Sequence, residues 1–271
     1  MYTKNKRISN MIKALGSCQS LFLIENFVIR NHFIYIIILM IALFQTGCSE
    51  DVSLTLKIPK EGFEVVQNIP MDAVGRDQNA LYLDPRRIKQ EEFNSSELNT
   101  FIDSMYTIML RKEGVGIAAN QLGKRLQIFI IEAKVGNPRY KVLGPVEKQV
   151  FINPKITNVS KERKNFWHGC LSAQGEKRGN VATFKWIEYE CQNKKGEIQR
   201  GRLDGFAAVI FQHEFRHLMK GTYLDHANHF LPKDELNHKI ETGELSFFEL
   251  ASDTLPLLID GYLLGENLEN Y

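Results

Sequence analysis

The chain has 271 residues, of which 44% are hydrophobic and 24% are charged, and its formal net charge is +2. This length accommodates one domain of ordinary size together with additional terminal segments. Because acidic and basic side chains nearly balance, the composition lacks the basic excess typical of nucleic-acid-binding proteins, and we expect no nucleic-acid partner.

The amino-terminal segment has the features of an export signal. Basic residues outnumber acidic ones before an uninterrupted apolar run from Phe33 to Phe44. The run is shorter than the roughly 20 apolar residues that span a bilayer, but it fits the apolar part of a secretion signal. Gly47 and Cys48 follow and resemble a bacterial lipoprotein processing site. We predict a signal segment at 1–47 and a lipid anchor on Cys48 in the cell envelope; the alternative is a cytoplasmic protein.

A helix is predicted after a linker at 48–62 and a segment without clear periodicity. Apolar residues recur at helical spacing from Leu98 to Met109, after a candidate start at Ser95 or Ser96. Gly114 stands where such a helix would end. We therefore expect an amphipathic helix that leads into a glycine-rich turn.

Strands and a second long helix follow. The second helix is predicted from Leu203 to Met219, with Asp204 as its N-cap and Gly221 just past its end. The order of helix, strands and helix is typical of an α+β fold. Within the last strand, Cys191 shares a face with other apolar residues and is predicted to be buried. The predicted strands are Leu126 to Ile131, Val150 to Ile152 and Phe184 to Cys191.

The strongest chemical signal lies in the second helix, between Gln212 and His217. His213 and His217 are one helical turn apart, so both imidazoles can reach one metal ion while Glu214 lies beside its water. The pattern favours metal-assisted hydrolysis, although it also occurs by chance on solvated helices. A purely structural metal site would usually need a fourth protein ligand.

Two upstream segments supply candidate partners for these histidines. Gly169 allows a close backbone approach, and the thiolate of Cys170 would complete a three-ligand set with one open position. A lone cysteine is otherwise more often a small buried residue. The loop from Gly114 to Gln121 is rich in small residues, and Gln121 supplies an uncharged amide donor. Taken alone, this loop is typical of a tight turn.

In this order, the three segments resemble the peptide deformylase family, whose members remove the formyl group from new bacterial polypeptides. The family's Gly-x-Gly-aliphatic-Ala-Ala-x-Gln, Gly-Cys-Leu-Ser and Gln-His-Glu-x-x-His patterns are matched by residues 114–121, 169–172 and 212–217. The resemblance covers roughly 63–230. It implies an α+β fold in which antiparallel sheets pack around a central helix carrying HExxH. A catalytic domain is thus predicted at 63–230, with a C-terminal extension of unknown role at 231–271.

The resemblance also implies a metal site. Cys170, His213 and His217 would bind one divalent ion, and Glu214 would be the general base that takes a proton from the metal's water. The family implies Fe²⁺, whereas an oxidising location outside the cytoplasm favours Zn²⁺, which undergoes no redox change.

The resemblance further implies how a substrate binds. Gln121 and the backbone N–H of Leu171 would donate to the oxyanion that develops on the formyl group. Gly116, Ile117 and Gly169 would contact the substrate, a formylated peptide or nascent-chain amino terminus. The oligomeric state is left open.

Four positions depart from the family pattern. His168 stands where the family has a glutamate, and Ala173 and Gln174 replace an aliphatic residue and a proline. In the family that glutamate pairs with an arginine on a following strand, but residues 181–185 contain no arginine, so both halves of a supporting interaction are expected to be absent. Arg216 replaces an acid common in the family. The predicted metal ligands and base are intact, whereas pocket shape and metal affinity are expected to differ.

Two other functions are compatible with these residues. One is a related metallo-amidase with another substrate, and the other is a catalytically weak or inactive envelope protein that binds metal or formylated peptide. Glu214 and Gln121 argue against the latter, since a mere binding site needs no base. An ordinary HExxH protease is disfavoured because its third ligand normally lies downstream, whereas Cys170 lies upstream.

Overall fold

The structure is a computed structural model that describes residues 62–140, 143–173, 177–250 and 256–270, together with Leu56 and Pro59. The predicted signal segment, the predicted lipidation site Cys48 and most of the predicted linker lie outside these residues. Among the helices of the described part, none combines the length and the apolar character needed to cross a membrane.

Three α-helices are present in the described residues: α1 (Ser96–Arg111), α2 (Gly205–Leu218) and α3 (Lys233–Glu241). The prediction for α1 is confirmed. Ser95 is its N-cap, with Oγ accepting from the Leu98 N–H, and its apolar stripe is buried. Helix α2 has the predicted N-cap, Asp204, but it begins at Gly205 because the two preceding residues end a strand.

Nine strands are present in the same residues. The predicted strand from Phe184 to Cys191 is divided at Lys185: Phe184 ends one strand, and residues 186–191 belong to the next. Cys191 is buried, as predicted. The strands are β1 (Gly116–Ala118), β2 (Ile128–Ala133), β3 (Val146–Val159), β4 (Arg163–His168), β5 (Arg178–Phe184), β6 (Trp186–Gln192), β7 (Ile198–Asp204), β8 (His229–Leu231) and β9 (Phe248–Leu250).

The strands form two antiparallel sheets. One sheet has the order β1-β2-β3-β6-β7, so β1 is an edge strand, and the other has the order β8-β5-β4-β9. Alternate residues of a strand face opposite sides of its sheet. On β2, Ile128 and Ile130 pack with α1, whereas Phe129 and Ile131 pack with α2. The HExxH helix therefore lies in the interior, as the predicted fold requires.

The segment after residue 231 belongs to the same compact unit as the described residues before it. Strand β9 pairs with β4, and the backbones of Pro256 and Leu258 bond to Ala182 of β5. Leu258 is fully buried beside Cys170, and Tyr262 packs edge-on against Phe215 of α2. This segment thus completes the four-stranded sheet and covers one side of α2.

Candidate metal centre

Cys170, His213 and His217 lie together in the interior. One potential ligand atom from each lies within 4.8 Å of the others, and Cys170 Sγ is 3.3 Å from His217 Nε2. Cys170 lies in the loop after β4, and both histidines lie on one face of α2 because they are one turn apart. The structure thus brings the three predicted ligands to one point.

Two amide side chains fix α2 beneath this cluster. Gln212 bonds to the N–H of Phe184 at 2.8 Å and to its C=O at 2.9 Å, which joins α2 to the end of β5. On the opposite side, Asn120 Nδ2 donates to the His217 backbone oxygen at 2.7 Å. Because these bonds are buried, loss of either partner would leave unsatisfied polar groups, which is unfavourable.

Each histidine of the cluster has its Nδ1 engaged away from the cluster. His217 Nδ1 lies 3.1 Å from the Gly221 backbone oxygen, and His213 Nδ1 lies 3.2 Å from Nδ1 of His168. Nε2 is therefore the ring nitrogen that remains available to a metal on both residues. Burial lowers the pKa of His213 and brings that of His217 to about 4, which favours the neutral, ligating imidazole.

The sulfur of Cys170 accepts two hydrogen bonds. The Ser172 N–H and Gln121 Nε2 both donate to Sγ at 3.3 Å. Burial, and then the charge of Glu214, raise the pKa of the Cys170 thiol to about 12. A divalent cation at this point would offset both effects and favour the thiolate. The two donors would then stabilise a charged sulfur.

Glu214 lies beside the cluster in an apolar environment. The side chain is buried, and its Oε2 has no hydrogen-bond partner among the described residues. Burial raises the pKa of this carboxyl well above its usual value, so it binds a proton more readily than an exposed glutamate. A methyl group at Gly116 would overlap the Glu214 carboxylate. Glycine at this position of β1 thus lets the backbone approach the carboxylate.

The other predicted site residues fall into two groups. Gln121, Leu171 and Gly169 line the same cleft as Glu214, and the Leu171 N–H bonds to no described residue. Gln121 Nε2 also donates to Ser172 Oγ at 3.1 Å. Ile117, predicted to bind substrate, has its side chain in the core with α1 and is not among the residues that line the cleft.

A second wall of the cleft was not predicted. The cleft and the solvent space at its open mouth together enclose about 400 Å³. Three of its apolar side chains precede His213 on α2 at helical spacing, a signal that the sequence did contain. The residues added by the structure are Arg139, Tyr140, Phe166, Phe206, Val209 and Ile210.

The expectation that an arginine is missing beside His168 is wrong. Strand β5 begins at Arg178, before the segment in which an arginine was sought. Its guanidinium is buried against Gly169, where a Cβ would collide with it, and its Nη1 donates to Tyr140 Oη at 2.9 Å. The same Oη accepts from the Gly169 N–H at 3.2 Å. The arginine thus supports the loop that carries Cys170.

Of the other three departures, Ala173 and Arg216 belong to the described residues. Ala173 is buried next to the Cys170 loop, whereas Gln174 lies outside the described residues. Arg216 packs against Gly221, the residue whose carbonyl bonds to His217 Nδ1. The Nε of Arg216 has no hydrogen-bond partner among the described residues.

Comparison with known proteins gives one consistent family. The family model described as polypeptide deformylase matches residues 76–233. Peptide deformylase 2 of Nostoc sp. is 36% identical over 135 residues, which cover 50% of this chain and 74% of the relative. Peptide deformylase 1 of Bordetella pertussis is 35% identical over 144 residues, which cover 52% and 81% of the two chains.

Solved structures give the same relationship. The Met-Ala-Ser-bound class I type b peptide deformylase of Acinetobacter baumannii has a TM-score of 0.55 and 29% identity. The match covers 60% of this chain and 96% of that one. The actinonin-bound form of the same enzyme has a TM-score of 0.50 and 26% identity. Nearly the whole of the solved enzyme is therefore matched within this chain.

Proposed function

Because the chain belongs to the peptide deformylase family, we propose that it is a metal-dependent hydrolase that removes the N-formyl group from formyl-methionyl peptides. The observation that carries this proposal is the convergence of Cys170, His213 and His217 beside a buried, unpaired Glu214. A relative of known structure binds the peptide Met-Ala-Ser, which has the composition of a deformylated product.

The residues present fit a divalent metal ion. One thiol and two neutral imidazoles form a donor set suited to Zn²⁺ or Fe²⁺, and three protein ligands leave a position open. Cys170, His213 and His217 would hold the ion. When bound, the ion supplies a Lewis acid that polarises the formyl oxygen and activates a water molecule.

The chain's own groups would move the protons. The Glu214 carboxylate takes a proton from the attacking water and passes it to the departing amine nitrogen as the formyl C–N bond breaks. The products are formate and a free amino terminus. The raised pKa of Glu214 suits this exchange, since burial makes the carboxylate a stronger proton acceptor than an exposed glutamate.

Two donors would stabilise the oxyanion on the formyl carbon. The Leu171 N–H has no acceptor among the described residues, and Gln121 Nε2 lies beside Cys170. Gln121 would exchange one of its present bonds for the substrate oxygen. Each such donor lowers the barrier by roughly 3 kcal/mol.

The peptide itself would bind along the open edge of β1. Gly116 lines the cleft at this edge, and Gly169 lies across it. Phe206, Val209 and Ile210 provide an apolar pocket for the first side chain, which suits methionine.

The direct test is hydrolysis of formyl-Met-Ala-Ser by the purified full chain, with formate and free amine both measured and metal content determined in the same preparation. We expect stoichiometric release of both products. Metal-loaded protein that binds the peptide without turnover would instead support the binding-protein function, and hydrolysis of other amides in preference to formyl-peptides would support a different metallo-amidase.

We propose further that the protein is anchored in the cell envelope through Cys48 and carries mainly zinc there. The support is the apolar run and the Gly47–Cys48 pair in the sequence, together with the sensitivity of a ferrous thiolate to oxidation. Cell fractionation, mass spectrometry of the amino terminus and metal analysis test this proposal. An unmodified Cys48 in the cytoplasm contradicts the location, and an iron-loaded envelope form contradicts the metal.

A further inference from the structure

His168 is the feature of the site that the proposed reaction does not use. It is the last residue of β4, two positions before Cys170, and only 1% of it is exposed. Its ring lies nearly parallel to that of His213, with centroids 5.3 Å apart and an interplanar angle of 22°. The two Nδ1 atoms are 3.2 Å apart, which is hydrogen-bonding distance.

Only one proton can lie between these two nitrogens. If His213 gives its Nε2 lone pair to a metal, its proton is on Nδ1, and this N–H must donate to His168. His168 then accepts through Nδ1 and carries its own proton on Nε2. That Nε2 is buried and has no hydrogen-bond partner in the described part of the chain. The bond to His213 is therefore the one hydrogen bond that the described structure gives this imidazole.

The surroundings hold His168 in this orientation by packing. Its ring contacts Phe166 edge-on at a centroid distance of 5.0 Å and lies over Tyr223 at 6.1 Å. These aromatic neighbours fix the plane of the ring without competing for its Nδ1. An acceptor held in this way restricts the rotation of His213 as well.

We propose that His168 is a positioning residue that fixes the tautomer and ring orientation of His213 and thereby sets how tightly the metal is held. The inference rests on the metal-binding role in the proposed function. Because an imidazole is an uncharged acceptor, it makes His213 a less basic ligand than a carboxylate at the same position would. The metal affinity of this site is thus lower than that of a His168→Glu variant.

The second ligand provides an internal contrast. His217 Nδ1 is held by the Gly221 carbonyl, a backbone group that no side-chain substitution removes. A change at residue 168 therefore acts on one ligand and leaves the support of the other in place. Outer partners of this kind typically alter metal affinity by roughly 10–100-fold.

The test measures Zn²⁺ affinity by competition with a chelator, and the absorption bands of bound Co²⁺, in four full-chain variants. His168→Leu removes the acceptor and should weaken Zn²⁺ binding by roughly 10–100-fold. His168→Gln keeps an acceptor oxygen and should retain most of the affinity. His168→Glu should bind Zn²⁺ more tightly than the unaltered chain. His226→Leu, at a partly buried histidine outside the cluster, is the control and should change nothing.

Each outcome decides the proposal. Unchanged affinity in a folded His168→Leu variant overturns it, and so does a His168→Gln variant as weak as His168→Leu, since the ring's shape would then matter more than its acceptor. A Co²⁺ spectrum that shifts in His168→Leu and stays unshifted in His168→Gln supports it. Metal binding that follows this order in a chain without deformylase activity would refute the proposed reaction and leave the role of His168 standing; a chain that binds no metal refutes both.

Discussion

The cleft has two walls of different origin. The ligand wall consists of Gln121, Cys170, His213 and Glu214, which come from short segments with recognisable spacing. The aromatic wall consists of Tyr140, Phe166 and Phe206, whose rings contact one another at centroid distances of 5.1–5.8 Å.

The difference between the walls reflects what each position demands. On the ligand wall, only a particular atom can bind a metal or move a proton, so the residue type is fixed by chemistry. On the aromatic wall, several apolar side chains could fill the same volume, so only shape and burial are specified. The first wall therefore indicates the reaction, whereas in the proposed function the second would govern which peptides enter.

The largest expected effect is at the base. Glu214→Gln keeps the size of the side chain and removes the proton acceptor, so turnover of a formyl-peptide should fall by roughly 10²–10⁴-fold. Metal content should be unchanged, because Glu214 is not one of the three proposed ligands. Glu113→Gln, in the exposed turn nearby, is the matched control. Full turnover by metal-loaded Glu214→Gln would remove this residue from the reaction.

Gln121→Ala should have a smaller effect. It removes one oxyanion donor and one of the two donors to the Cys170 sulfur, while water and base stay in place. We expect a loss of about 10²-fold in kcat with little change in KM. Steady-state kinetics on one formyl-peptide measures both values. A rise in KM at constant kcat would make Gln121 a binding residue, which would place it functionally with the aromatic wall.

The sequence predicted the ligand wall well for a physical reason. The HExxH spacing and the Cys170 loop are local patterns, and helix geometry alone puts His213 and His217 on one face. Helix α1 was equally clear because its apolar stripe is regular. These features depend on residues close together in the chain.

Features that depend on distant residues were missed. Strands β8 and β9 are three residues long, too short for a period-two pattern, and they exist because they pair with β5 and β4. Arg178 was overlooked because an arginine was sought only at 181–185, whereas β5 already begins at Arg178. Tyr140 lies in a loop without periodicity, and only the fold brings its ring to Phe166.

A substitution on the aromatic wall tests whether that wall also supports the ligands. Tyr140 Oη accepts from both the Gly169 N–H and Arg178 Nη1, so Tyr140→Phe leaves one partly buried and one buried donor without this acceptor. The free energy of unfolding should fall by about 1–3 kcal/mol in urea denaturation. Tyr106→Phe, which loses a single bond to Glu132 in a more exposed setting, is the control and should lose less. Equal losses would show that Tyr140 has no special role beneath the Cys170 loop.

The smallest expected effect is at the cation beside the aromatic wall. Arg139 lines the cleft, and in the described part of the chain it forms no ion pair. Its charge is therefore available to a peptide that carries an acidic side chain or a nearby terminal carboxylate.

Because the Arg139 guanidinium is partly exposed, its attraction for such a peptide amounts to about 1 kcal/mol or less, which corresponds to a change of up to about fivefold in KM. Arg139→Gln should raise KM for acidic formyl-peptides by this amount, leave KM for neutral ones unchanged and make the difference between them insensitive to salt. Arg200→Gln, at an exposed arginine of β7 outside the cleft lining, should alter neither peptide's kinetics. An equal rise in KM for acidic and neutral peptides would mean that Arg139 contributes to the shape of the cleft but not to charge selectivity. The cleft would then select peptides by the volume of their side chains alone.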